Sequence, residues 1–277
     1  ARAMSAMDLV KNIAKLAGPA LMGILAAAAG IGWVYIVNSL TFLVMFAFMM
    51  QMPASRPVEP SGENTPSFKA RLMQGVDFLR NHSLVRGLVL LDFWGTFCAG
   101  AETLLPMVAK DMLGLGVEGY GYLASAGAVG ALLAGFWLIM RPPASKPGLW
   151  ALGGSAVFAG GTIALGFATE TVLAFTALMF IGAGDTLSTV LRNTLVQVAT
   201  PDSLRGRVTA ISMVFSKSGP RLGQMEAGLV AGWFGLTFSL VSGGVLALLT
   251  TGFIAWRYPV LRTMDHVEDV SGDELAD

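Results

Sequence analysis

Eight charge-poor stretches, each long enough to cross a bilayer, limit what this chain can fold into more than any other feature. They fall near residues 9–29, 32–52, 84–109, 117–140, 149–168, 171–197, 207–232 and 236–257. A spanning helix needs about 20 predominantly apolar residues. In hydrocarbon every backbone N–H and C=O must find its partner within the protein, so only helices and closed barrels cross. A barrel would show alternating segments of ~10 residues, and nothing here alternates that way. The expected fold is therefore an all-α membrane protein, a polytopic helical bundle. Composition agrees, with 13% charged residues and 34 glycines, against the quarter or so of charged residues that soluble domains carry. A water-soluble enzyme is excluded on these grounds. Zero formal net charge argues against nucleic acid as a partner. A lone cysteine, Cys98, provides no disulfide framework. The two histidines, His82 and His266, lie outside the apolar stretches, so no metal, cofactor or buried catalytic triad is expected. No signal peptide is expected before the first span, whose opening turns hold basic residues and an aspartate.

The basic residues give an orientation. Cytoplasmic loops hold the excess of Lys and Arg. If the connection 53–83 is cytoplasmic and sides alternate from there, the cytoplasmic set is Arg2, Arg56, Lys69, Arg71, Arg80, Arg86, Arg141, Lys146, Arg205, Arg207, Arg257 and Arg262. The opposite side receives Lys110 alone, among Asp111, Glu118 and Glu170. Trp33, Trp150, Trp233 and Trp256 fall at span ends, where amphipathic rings favour the headgroup layer. The C-terminus is then cytoplasmic.

Between spans two and three lies a Pro/Ser/Glu-rich linker, Pro53 to Pro66, which cannot bury a core. After it Ser67 is placed to cap a short helix with Phe68, Leu72, Val76 and Leu79 on one side and Lys69, Arg71, Asp77 and Arg80 on the other. Such a helix suits the face of a cytoplasmic leaflet or packing on protein. The tail after Arg262 is acidic and expected to be disordered. An internal echo, Gly18-Pro19-Ala20-Leu21 against Gly219-Pro220-Arg221-Leu222, fits the parallel repeats from which some secondary transporters are built. On that scheme residues 1–52 are the last two helices of an N-terminal bundle, 53–83 a cytoplasmic linker, 84–257 a complete six-helix bundle and 258–277 a tail. Eight helices of an expected twelve are then present, a view with which the opening Ala1 agrees.

An ionisable side chain at the bilayer centre costs about 2.5–3.5 kcal/mol by insertion scales, so it faces protein or a watery cavity. Spans 32–52 and 149–168 contain no Asp, Glu, Lys or Arg, and 117–140 and 236–257 carry one only at an end, Glu118 and Arg257, while the other four hold charges in their interior. At 1.5 Å per residue, Asp185 and Lys217 lie roughly 21–22 Å from one face, near the midplane. Asp92 and Arg192 fall in the cytoplasmic third, and Glu102 and Glu226 in the outer third. Asp185 and Arg192 share a helical face, as do Lys217 and Arg221, which repel each other unless an acid or an anionic ligand lies between them. Asp92, Glu102, Asp185, Arg192, Lys217, Arg221 and Glu226 are thus the candidates for binding a substrate or carrying a proton. The alternative is that they pair with one another to hold the bundle. Lys11 and Lys15, near a helix end, can reach the headgroups. Gly18, Pro19, Gly23, Gly219, Pro220 and Gly223 are candidate hinge or packing positions. In the loop that begins at Thr200, that residue can cap the next helix, Pro201 fits its first turn and Asp202 complements its dipole. Arg141, Lys146, Arg205 and Arg207 are candidate cytoplasmic gate or anchor residues.

Asn193-Thr194-Leu195-Val196-Gln197, then Thr200 to Val208 (TPDSLRGRV) and Gly223-Gln224-Met225-Glu226-Ala227-Gly228-Leu229, resemble helices ten and eleven of the major facilitator superfamily. The likeness is strongest to its bacterial branch of enterobactin-type siderophore exporters and related efflux proteins. Gly18-Pro19-Ala20-Leu21-Met22-Gly23 is similar to the GPxxGG antiporter motif of helix five, with Met22 in place of a glycine. Gln74 to Arg80 (QGVDFLR) also fits that branch. The turn 141–148 keeps Arg141 and Lys146 but lacks the acidic residue of the superfamily's gating motif. The resemblance implies helices five to twelve of a monomeric, multi-pass transporter of the bacterial inner membrane. Helices five, seven, ten and eleven, the four charged spans, would line its cavity. Its expected activity is proton-coupled export of a small molecule such as a siderophore, with Asp185 or Glu226 carrying the proton and Arg192, Lys217 and Arg221 attracting an anionic substrate. Multidrug or macrolide efflux is the rival within that class, and a non-transporting membrane scaffold or sensor the rival outside it. A polytopic membrane enzyme would need a His, Asp or Ser cluster near one interface, and the sequence offers none.

Overall fold

The computed structural model describes residues 31–51, 68–98, 100–140 and 145–265. Span 9–29, the Pro-rich linker, the acidic tail, and with them Gly18, Pro19, Gly23 and Arg141, lie outside the described residues. The rest is helical: α1 Ile31–Gln51, α2 Phe68–Asn81, α3 Ser83–Cys98, α4 Ala101–Met107, a π-helical turn Val108–Met112, α5 Val117–Met140, α6 Pro147–Gly166, α7 Thr171–Val198, α8 Asp202–Phe234, α9 Leu236–Arg257 and the short α10 Val260–Thr263. Among the described residues there is no strand. Six helical stretches are long and apolar enough to cross a membrane: α1, α3 through the π turn, α5, α6, α7 and α9. At 33 residues α8 is about 50 Å long, but its charges set it apart from those six. The chain is an all-α polytopic membrane protein.

Packing divides the chain between Phe68 and Lys69 into two units. In the first, the described part is α1, an apolar helix without a charged residue. The second is a bundle in which α5 and α6 both lie along α7, α9 packs on α6, α3 and α8, and α8 runs along α3 and α4.

Glycine lets these helices approach. A Cβ at Gly154 would stand 2.7 Å from the Ser188 nitrogen, and one at Gly184 2.5 Å from the Phe158 nitrogen, so α6 and α7 meet at backbone distance. Likewise a Cβ at Gly219 would lie 3.0 Å from the Phe93 carbonyl oxygen, and one at Gly223 would collide with that of Phe97. The pair Gly219-Pro220 therefore acts as a close-packing device between α8 and α3, and α8 continues through Pro220.

The third expected span differs from a single helix. It is interrupted near Gly100, and Pro106 inside α4 has no N–H to donate to the preceding turn. Beyond it the ladder widens, with Leu113 N–H donating to the Val108 carbonyl at 3.1 Å. The start of α8 also departs from expectation. Thr200 does not cap it: its hydroxyl donates back to the Val196 carbonyl at 2.5 Å, closing α7, and Pro201 takes the N-cap position without a side-chain bond. A short loop leaves Thr200 nearer the last turn of α7 than the first of α8.

Short helix α2 packs on protein, one of the two settings its pattern allowed. Phe78 and Leu79 join the core around Leu84, Val85 and Leu261. Gly75 lies against Ile211 and Arg207 of α8, and Arg207 Nη1 donates to Gln74 Oε1 at 2.5 Å. That contact joins the QGVDFLR segment to the TPDSLRGRV segment. All four tryptophans expected at helix ends are exposed there: Trp33, Trp150, Trp233 and Trp256.

Candidate functional site

The bundle core is not continuous. One apolar cluster gathers Leu104, Leu123, Leu165, Ala177, Ile181, Ala227 and Leu240. A second, at the α2 end, gathers Leu84, Leu88, Leu91, Leu152, Leu195, Val208 and Leu261. Between them four helices carry polar side chains: Asp92 on α3, Ser155 on α6, Ser188 and Arg192 on α7, Ser216 on α8. Chain order matches spatial order on each helix, with Leu91 before Asp92, Leu152 before Ser155, Ile181 before Ser188, and Val208 before Ser216.

These side chains form one network. Arg192 Nη2 meets Asp92 Oδ1 at 2.5 Å, with side chains only 8% and 14% exposed. The same nitrogen reaches Thr189 Oγ1 at 3.1 Å, while Nη1 donates to Ser188 Oγ at 2.8 Å. Ser188 and Ser155 hydroxyls lie 2.8 Å apart. Asp92 Oδ2 accepts from the Ser216 hydroxyl, and Thr189 donates to Asp185 Oδ1 at 3.3 Å. A guanidinium fixed by a carboxylate and two hydroxyls has most of its donors satisfied, as burial requires. Beside the network a cleft of about 10 Å³ is lined by Asp92, Thr96, Ser155, Asp185, Ser188 and Arg192. That is room for a single water with several polar partners.

The seven candidate side chains divide into three settings. Asp92 and Arg192 are brought into direct contact, the cross-helix pair that their common depth allowed. Asp185, Lys217 and Arg221 are exposed. Asp185 still borders the cleft. Lys217 and Arg221 share an exposed face of α8 with Met213 and Met225, and neither makes an ion pair among the described residues. Glu226 is half-buried, one turn past Gly223. The Glu102 side chain lies outside the described residues. Lys146 is exposed at the N-cap of α6, in a left-handed conformation at φ 54°, and its N–H donates to the Asp265 carbonyl at 2.8 Å. Arg205 is exposed near the start of α8.

The neutral members, Ser155, Ser188, Thr189 and Ser216, escape a survey confined to charges. Half of the signal was in the spacing, since Asp185–Thr189 and Ser188–Arg192 are i, i+4 pairs on one helix. Ser155 and Ser216 had no such signal.

The comparisons with known proteins come to the same family. The chain is 25% identical over 251 residues to the enterobactin exporter EntS of Escherichia coli O139:H28 (strain E24377A / ETEC), which covers 87% of this chain and 59% of the relative. The EntS of Shigella boydii serotype 18 (strain CDC 3083-94 / BS512) matches to the same extent. The chain thus spans 59% of the length of these curated relatives. The model of the major-facilitator family described as transmembrane secretion effector matches residues 1–276, and the chain belongs to that family.

Proposed function

We propose that this chain is part of a secondary active transporter, a proton-coupled exporter of a small anionic molecule such as a siderophore, working by alternating access in the bacterial inner membrane with a cytoplasmic C-terminus. The observation that carries the reading is the polar network between two apolar clusters, which links α3, α6, α7 and α8 and borders a cleft lined by Asp185, with Lys217 and Arg221 exposed on α8. Buried charge in a membrane bundle costs several kcal/mol unless paired and hydrogen-bonded, and a purely structural bundle would dispense with it. In this reading Asp92 and Arg192 hold the helices in one arrangement. Protonation of a carboxylate on the network, Asp185 in direct reach of the cleft or Asp92 itself, loosens that arrangement. Glu226, farther along α8, is the second candidate carrier. Lys217 and Arg221, two cations one turn apart with no carboxylate between them, attract an anionic substrate. Arg205 and Arg207 anchor the other end of α8, and Arg207 ties it to α2.

Accumulation of a catecholate siderophore inside everted vesicles, whose outer face is the cytoplasmic one, tests this. An imposed proton gradient is expected to drive transport, and Asp92→Asn and Asp185→Asn each to uncouple it. Unchanged gradient-driven transport in Asp92→Asn, Asp185→Asn and Glu226→Gln would refute the proton assignment. A second reading, efflux of hydrophobic drugs or macrolides, draws on Met213 and Met225, which are 60% and 66% exposed beside the two cations. Adaptable thioethers suit varied apolar ligands, and a substrate panel separates the two readings.

A further inference from the structure

Helices α5 and α6 are consecutive in the chain, yet they barely touch, because both lie along α7. Toward the C-terminal end of α5 and the N-terminal end of α6 this leaves an open groove of about 280 Å³ between them. Trp137 of α5 and Trp150 and Val157 of α6 form its walls, and Phe180, Ala183 and Leu187 of α7 part of its floor, all of them apolar or aromatic side chains. The floor is fixed, since Gly184 in it sits at backbone distance from α6. The walls are exposed, Trp150 and Val157 each at 41%.

All three helices are among those long and apolar enough to cross a membrane. From Trp150 to Val157 it runs about 10 Å along α6. A groove of this length and volume accommodates one extended hydrocarbon chain. The mouth has the marks of a headgroup boundary. The Trp137 and Trp150 rings stand 5.2 Å apart at 46°, amphipathic rings of the kind that settle at that level. Four residues before Trp150, Lys146 is exposed at the positive end of the α6 dipole.

We propose that this groove binds one acyl chain of a phospholipid whose phosphodiester meets Lys146. The chain lies between α5 and α6 on the α7 floor and ties the two helices together where protein contact is lacking. The indole rings pack beside its first methylenes, and the ammonium of Lys146 meets the phosphate oxygens.

Native mass spectrometry of the purified full chain, released from detergent after delipidation and titrated with defined lipids, tests the site. Dioleoylphosphatidylglycerol and dioleoylphosphatidylcholine, which share the phosphodiester, are each expected to give one retained molecule. Dioleoylglycerol, which lacks the phosphate, should bind about tenfold more weakly. Val157→Trp, which fills the groove from an exposed position, should abolish retention, and Ala134→Leu fills it from the opposite wall if the first variant folds poorly. Lys146→Glu should lower both phospholipids to the level of dioleoylglycerol. Equal retention by the parent and both filled variants overturns the site. Equal affinity for dioleoylglycerol, or a dimer in the parent that Val157→Trp disperses, overturns the occupant.

Discussion

Replacing Asp92 by leucine while Arg192 remains is expected to destabilise the bundle more than replacing both. The carboxylate accepts from Arg192 at 2.5 Å and from Ser216, and both partners lose it at once. Arg192, with an 8% exposed side chain, would be left charged and desolvated, held by Ser188 and Thr189 alone. Removing one partner of a buried pair costs about 3–5 kcal/mol. The lower end applies here, because interhelical hydrogen bonds in membranes average only ~0.6 kcal/mol, at most ~1.7. About 3 kcal/mol corresponds to roughly a hundredfold change in the folding equilibrium. Replacing both residues by leucine removes the desolvation penalty with the attraction, so the double variant should fall within about 1–2 kcal/mol of the parent. The sequence supplies its own probe, since Cys98 is the single cysteine and is buried. Its reaction with a thiol-specific fluorophore during denaturant titration in micelles reports unfolding of the α3 region. The full cycle of Asp92→Leu, Arg192→Leu and the double variant isolates the pair. A double variant less stable than either single one, or an Asp92→Leu variant within ~0.5 kcal/mol of the parent, would refute the reasoning.

Two further outcomes follow from the same geometry. Gly223→Ala, whose methyl group would collide with the Phe97 carbonyl, should destabilise by about 1–3 kcal/mol, whereas Gly228→Ala, with open space around its Cβ, should be neutral or stabilising by up to ~1 kcal/mol; the Cys98 titration reads both. Lys217→Gln with Arg221→Gln should raise the half-saturating concentration of an anionic substrate about tenfold or more in the everted-vesicle assay, leaving a neutral macrolide within twofold, and equal effects on the two would remove the anion-binding role.

Six of the eight expected spans were legible in the sequence, because hydrocarbon imposes the same demand on every residue of a crossing helix. Trp33 and Trp256 stand at helix ends for that reason. Departures occur where a local contact decides. Pro106 was visible in the sequence, but the widened turn after it depends on how Leu113 finds the Val108 carbonyl. Thr200 fits a cap equally well by composition, and only the short loop shows that its hydroxyl serves α7. The site was half legible. Asp92 and Arg192 stood out as costly charges at a common depth, yet no spacing rule joins residues 100 positions apart, and neutral Ser155 and Ser216 cost too little to draw notice. Gly219, Pro220 and Gly223 were legible as hinge or packing positions on α8, but not that α3 is the helix approached.

Accessibility of the charged positions to water tests the central claim most directly, that ionisable groups in these spans border a hydrated path and not lipid. In a Cys98→Ala background, single cysteines at Asp185, Lys217 and Arg221 are compared with one at Leu249, an exposed apolar position of α9. A membrane-impermeant methanethiosulfonate reagent, which needs water and a thiolate, is applied to native membranes. The account predicts rapid labelling at 185, 217 and 221, slowed by a catecholate siderophore, and little at 249. Labelling at the three positions as slow as at Leu249 would contradict it.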